Sequence, residues 1–156
     1  MTQKLTDKPI AIAADHRGVG LKKRLEGWLL ANDYSVRDCG ADSDAERVDA
    51  MDYALRAVAE IKASRSDFAV AICGSGQMMA MTANRFPFIR ATLLHTEQEG
   101  VWAREHGDAN VLVLGADVIA DATAEKILAT FLSHAPRGER YAERRERLAR
   151  LDTSKV

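Results

Sequence analysis

Four short apolar runs punctuate the chain, at residues 9–14 (PIAIAA), 68–72 (FAVAI), 90–94 (RATLL) and 111–114 (VLVL). None alternates polar with apolar, so each reads as a strand covered on both faces, as in a parallel sheet. A weaker strand is predicted from Tyr34 to Arg37. Between the runs the period changes to that of a helix. Leu21, Leu25, Trp28 and Leu29 share one face, as do Val48, Met51, Leu55 and Val58, and later Ala124, Ile127, Leu128 and Phe131. Strand and helix therefore alternate along the chain, which predicts an α/β protein. The expected architecture is a doubly wound three-layer sandwich with a five-stranded parallel sheet, right-handed crossovers and a C-terminal helix. No internal repeat or long linker divides it, so residues 1–156 read as one domain, with 137–156 an arginine-rich helix and tail. Gly40 to Glu46 is the expected surface loop.

In such a sheet, ligands bind beyond the carboxyl ends of the strands, where loops converge and helix N-termini offer unpaired N–H groups. That edge collects Asp15 and His16 after the first strand and Cys73-Gly74-Ser75-Gly76 after the third. It also takes His95 after the fourth and Gly115-Ala116-Asp117 after the fifth. The run ICGSGQMMAMTAN sets two glycines and a serine between strand and helix, a geometry that binds an anion or a developing oxyanion. It is not a dinucleotide fingerprint, because Met79 stands where the third glycine belongs, and it is not a P-loop, because no lysine follows. An anion site and a plain tight turn both fit it.

Each chemically suggestive residue also has a structural reading. Cys73, at the strand end, fits a thiolate base or nucleophile, and equally an inert buried thiol; Cys39 reads as inert packing. His106, closing a helix before the fifth strand, fits an acid or base near neutral pH, or a histidine favoured by the helix dipole. Asp15 and His16 suit a sugar or phosphate oxygen, while Asp15 alone fits a helix cap. The segment from Arg137 to Arg150 carries arginines at one-face spacing, Arg140, Arg144 and Arg147. Its forks suit phosphate, and its glutamates suit a solvated helix laced by pairs such as Glu143 to Arg147. His134 reads as a surface residue.

Composition narrows the partners. The chain has 156 residues, 47% hydrophobic and 29% charged, with a formal net charge of −1, so no bulk charge draws it to nucleic acid or an anionic membrane. Its longest apolar stretch, Phe68 to Cys73, is far short of the ~18 residues that span a bilayer, and MTQKLTDKPI lacks the apolar core of a secretory signal. Two cysteines without metal-ligand or disulfide spacing suit a reducing compartment. The expected protein is cytoplasmic, binds a small molecule, and uses neither metal nor membrane.

Taken together, AADHRG near the start, CGSG followed by TANRFPFIRA, then EHGDANVLVLGA and RYAERR resemble the type B ribose-5-phosphate isomerase family. That family also includes the galactose-6-phosphate isomerase subunits, and the resemblance spans nearly the whole chain. It implies a Rossmann-like fold, a homodimer or homotetramer with active sites at subunit interfaces, and interconversion of aldose and ketose phosphates without a cofactor. It also implies roles. Cys73 matches the proton-abstracting residue and Ser75 the hydroxyl beside it, while amides around Gly74 and Gly76 would hold the enediolate oxygens. His106 matches the histidine linked to ring opening, Asp15 and His16 the ligand-binding pair, and Arg140 and Arg144 the phosphate-binding arginines.

The chain departs from the family pattern at several of these places. Asp49-Ala50-Met51 stands for Asp-Tyr-Pro, Met78 for a glycine, His106-Gly107-Asp108 for His-Asn-Asp, and Gln98-Glu99-Gly100 for Tyr-Ser-Ala. Asp117 stands for an arginine and Tyr141 for a histidine. An anion at 117 is expected to weaken phosphate binding if it faces the pocket. Two readings follow: an isomerase acting on ribose 5-phosphate and ribulose 5-phosphate or a related sugar phosphate, and a non-catalytic small-ligand-binding or interaction protein on the same fold.

Overall fold

A computed structural model describes residues 4–155. Five strands, β1 (Ile10–Ala14), β2 (Val36–Asp38), β3 (Ala69–Cys73), β4 (Ala91–Leu93) and β5 (Val111–Gly115), form one sheet in the order β2-β1-β3-β5-β4. Every pairing is parallel. The crossovers are α1 (Val19–Ala31), α2 (Ala50–Lys62), α3 (Gln77–Ala83) and α4 (Glu97–Glu105), followed by α5 (Asp121–Ser133) and α6 (Glu139–Ala149). All five strands thus form near the positions expected, and β1, β3 and β5, wholly buried, lie side by side at the centre.

The two faces of the sheet carry different side chains. Ile10, Ile12, Val70, Ile72, Leu112 and Leu114 point to one side, where they pack with Leu21, Leu25 and Leu29 of α1 and Ile127, Leu128 and Phe131 of α5. Ala11, Ala13, Ala69 and Ala71 point to the other, against Ala54, Ala57 and Val58 of α2 and Met79 of α3. The alternation follows the two-residue period of a strand.

This asymmetry corrects the expected face of α2. Met51 and Leu55 do not enter the core; they are 44% and 42% exposed, and Val48 precedes the helix. Because the strands opposite present alanines, α2 approaches them through its own small residues, and the long side chains turn outward. The Gly40–Glu46 loop also departs from expectation at its start, where Gly40 and Ala41 are buried.

Two buried cations tie layers together. Lys22 of α1 donates to both carboxylate oxygens of Asp38 at 2.7 Å. Arg104 of α4 packs its guanidinium 4.7 Å from the Phe68 ring centre and 5.5 Å from that of Phe131, and donates to the carbonyls of Ala109 and His134 and to Asp108. A buried charge with this many acceptors is compensated rather than orphaned. The second cation fixes the far end of α4, next to His106.

Candidate active site

The carboxyl edge brings Asp15, His16, Cys73, Ser75 and Asp117 into the loops after the three central strands. Asp15 is 6% exposed, and its Oδ1 accepts the backbone N–H groups of Arg17 at 3.0 Å and Gly18 at 3.2 Å. It closes the β1–α1 turn with one oxygen, while Oδ2 takes no bond from the described residues. His16 Nδ1 accepts the N–H of Val48 at 3.2 Å, so the neutral ring carries its proton on Nε2. One backbone contact thereby makes His16 a donor at its other nitrogen.

Cys73 is buried, and its Sγ accepts the N–H of Gly76 at 3.1 Å. A bond donated to sulfur is one that a thiolate accepts strongly. Ser75 is exposed, and its Oγ accepts the N–H of Gln77 at 3.3 Å. Among the described residues, the N–H groups of Gly74 and Ser75 meet no acceptor. The loop therefore holds one thiol, one hydroxyl and two uncommitted backbone donors within three consecutive residues.

Glycine is needed at the turn itself. Gly76 has φ +78°, and a Cβ there would collide with Leu93 and crowd the Leu114 backbone. Gly115 on β5 is equally constrained, since a Cβ would come within 2.8 Å of the Ser75 carbonyl. Backbone bonds from Ala116 to Cys73 O and from Asp117 to Gly74 O then hold the β5–α5 loop against the cysteine loop.

Asp117, expected to repel phosphate, is not a lone anion. Arg17 donates Nε–H to its Oδ2 at 2.6 Å, and that hydrogen bond with the opposite charge holds the carboxyl below its usual range. Nothing in the spacing of the sequence signalled this pair, whose members are 100 residues apart.

His106, Arg140 and Arg144 lie elsewhere. The chain leaves β4 at the carboxyl edge, and α4 returns it to the amino edge, where His106 caps the helix. Nine residues of helix cover about 13 Å, close to the height of the sheet. Its ring stacks on Tyr141 of α6 with centroids 4.2 Å apart and planes 3° from parallel. The Arg140 and Arg144 guanidinium groups lie 4.8 and 5.9 Å from the Tyr141 ring centre. Arg145 donates to the His106 carbonyl at 3.2 Å, and Arg137 pairs with Glu105 at 2.7 Å, fastening α6 to the end of α4. The expected Glu143–Arg147 pair is not among the ion pairs of the described residues; Glu146 and Arg150 pair instead at 3.4 Å.

The candidate groups thus form two sets on opposite edges. The family model for Ribose/Galactose Isomerase matches residues 10–148. The chain belongs to the ribose/galactose isomerase family. It is 30% identical over 145 residues to the ribose-5-phosphate isomerase B of Escherichia coli, covering 93% of this chain and 97% of that one. The crystal structure of a ribose 5-phosphate isomerase from Thermotoga maritima superposes with a TM-score of 0.89 at 36% identity, covering 94% of this chain and all of the other. The Mycoplasma genitalium ribose-5-phosphate isomerase B, solved with bound ribulose-5-phosphate, gives 0.88 at 32% identity, covering 93% and 96%. Like its relatives in this isomerase family, the chain is an aldose–ketose isomerase.

Several departures from the family pattern have local structural roles. Glu99 completes a capping box, accepting from the Thr96 N–H while its own N–H meets Thr96 Oγ1, and Gly100 lets α4 approach Thr130 of α5. Ala50 opens α2, whose cap is Asp49. Met78 projects from α3 and is 41% exposed. Tyr141 supplies the flat surface on which His106 rests.

Proposed function

We propose that the protein interconverts a phosphorylated aldose and ketose, ribose 5-phosphate and ribulose 5-phosphate or a close relative, in sites completed by a second copy of the chain. The observation that carries this reading is the loop after β3, where a buried thiol accepts an N–H bond beside two uncommitted amides.

Cys73, as thiolate, removes the proton from the carbon next to the substrate carbonyl. The electron pair moves onto the carbonyl oxygen and gives an enediolate, the proton of the neighbouring hydroxyl passes to that oxygen by way of Ser75 Oγ, and the Cys73 thiol returns the abstracted proton to the former carbonyl carbon as the new carbonyl forms. The Gly74 and Ser75 amides donate to the enediolate oxygens, and Gly76 keeps the turn that presents them. Ser75 Oγ and the Nε2–H of His16 donate to substrate hydroxyls, and the free oxygen of Asp15 accepts from one. Loss of a single oxyanion donor costs about 2.7–4 kcal/mol in other enzymes, so the loop matters on the scale of the base itself.

His106 opens the sugar ring, and Arg140 and Arg144 bind the phosphate. In one chain these groups stand at the amino edge while Cys73 stands at the carboxyl edge. A two-fold related copy that sets its amino edge against the carboxyl edge of the first unites them, and the same contact repeats to give a second site. A homodimer is the smallest assembly that meets this need, and a homotetramer contains two such dimers.

Proton exchange in deuterated water tests the reading. Purified protein is incubated with tetrose, pentose and hexose phosphates and their unphosphorylated counterparts, and deuterium at the carbon next to the carbonyl is followed by NMR. Deuterium in one sugar phosphate, with formation of its isomer, is expected. No exchange with any compound would overturn it in favour of a ligand-binding protein on this fold.

A further inference from the structure

The ion pair between Arg17 and Asp117 lies directly on the cysteine loop. A Cβ built at Gly74 would come within 2.7 Å of Asp117 Oδ2 and 3.0 Å of Arg17 Nε, so the pair rests against the residue whose amide is uncommitted. Its two members come from the loops after β1 and β5, the strands that flank β3. Asp117 is fixed by its own N–H, bonded to Gly74 O at 3.0 Å, and Arg17 by its N–H to Asp15. Both side chains remain about half exposed, at 57% and 47%.

Arginine presents two edges to an anion, one through Nε and one through its paired terminal nitrogens. Here the Nε edge is committed to Asp117, while among the described residues neither terminal nitrogen has an acceptor. A surface ion pair that only stabilised the fold would contribute little, about 0–1 kcal/mol. An arginine held by a carboxylate at the rim of an amide-lined loop, with its terminal fork open, is instead prepared to receive a planar or tetrahedral oxyanion.

We infer that Arg17 is a specificity-determining residue that binds the substrate's anionic group, and that Asp117 is the positioning residue that orients its guanidinium. This rests on the isomerase reading above and extends it. The site then draws a cation from its own chain in addition to Arg140 and Arg144 of the second copy. Asp117 confers orientation at the cost of part of the charge.

Kinetics of the assembled protein on a sugar phosphate and on its unphosphorylated counterpart test this. Arg17→Ala is expected to raise KM for the phosphorylated sugar at least tenfold while kcat falls less than threefold, with KM for the unphosphorylated sugar changed less than twofold. Arg17→Lys restores part of the loss. Asp117→Asn raises the same KM about threefold, because the cation stays but its orientation is released. Equal changes for both sugars, or none, overturn the inference. Calorimetry with inorganic phosphate separates this from the isomerase reading. If the wild type turns over no sugar phosphate, at least fivefold weaker phosphate binding by Arg17→Ala still upholds the role of Arg17. Undiminished phosphate binding overturns it.

Discussion

The two edges of the sheet are built in opposite ways. At the carboxyl edge, Asp15, Cys73, Gly76 and Gly115 are buried and held by bonds within their own chain. At the amino edge, α6 buries none of its residues, and its arginines stand in solvent around one stacked histidine. The first edge has a shape that its own core dictates. The second is a helix held to the end of α4 by a few polar contacts, presenting cations that its own core does not use. A group that must meet a flexible sugar chain through a subunit boundary suits the second construction, and a base that must hold its geometry suits the first.

Removing the base breaks this comparison most severely. Cys73→Ala is expected to lower proton exchange by about 10²–10⁴-fold while the fold is retained with a modestly lower melting temperature, because the buried alanine leaves the Gly76 N–H without its sulfur acceptor. Normal turnover by that variant would remove Cys73 as the base. On the amino edge the effect should fall on binding. Arg140→Ala and Arg144→Ala are each expected to raise KM for a phosphorylated substrate by about tenfold or more, in line with about 1.5–3 kcal/mol for a bond to a charged group. Equal effects on the unphosphorylated sugar would argue against phosphate contact.

Rigidity of the cysteine loop gives a further contrast. Gly76→Ala meets both an unfavourable φ and the Leu93 side chain, so it should destabilise the protein by about 1–3 kcal/mol, read as an earlier denaturant midpoint. An exposed position on α6, such as Glu143, should tolerate alanine within about 0.5 kcal/mol.

A smaller effect separates the structural ion pairs from the catalytic ones. The Arg65 guanidinium, bonded to both Glu60 oxygens, together with Arg37 holds the Glu60 carboxyl below its usual range. Because the folded value is depressed, this contribution is complete above the unfolded value and fades as pH falls through the folded one. Glu60→Gln should therefore cost about 1 kcal/mol near neutral pH and progressively less in acid, measured by urea melts across pH. A constant difference at every pH would contradict it.

Much of this was legible in the chain because strands and their ends have strong local signatures. The continuous apolar runs located β1, β3, β4 and β5, and the residues following them located Asp15, His16, Cys73 and Asp117 at one edge. What stayed hidden depends on distant contacts. Periodicity placed Met51 and Leu55 inside, since it reports that a face is apolar without reporting that the opposing strands carry alanines. Arg17 and Asp117 lie 100 residues apart and meet across the end of β3, a contact that no local pattern carries. Tyr141 read as the loss of a histidine, whereas its ring supports His106. The motif resemblance named His106 and Cys73 together, and only the course of α4 shows that one chain keeps them apart.

Subunit complementation tests the central claim most directly. Cys73→Ala and His106→Ala, each inactive alone, are mixed after dissociation and allowed to reassociate, then assayed for proton exchange on the same sugar phosphate. If each site draws Cys73 from one chain and His106 from another, random pairing restores about a quarter of wild-type activity, because half the dimers carry one intact site of two. Mixed assemblies that form yet remain inactive would show that both residues act within a single chain, contradicting the account.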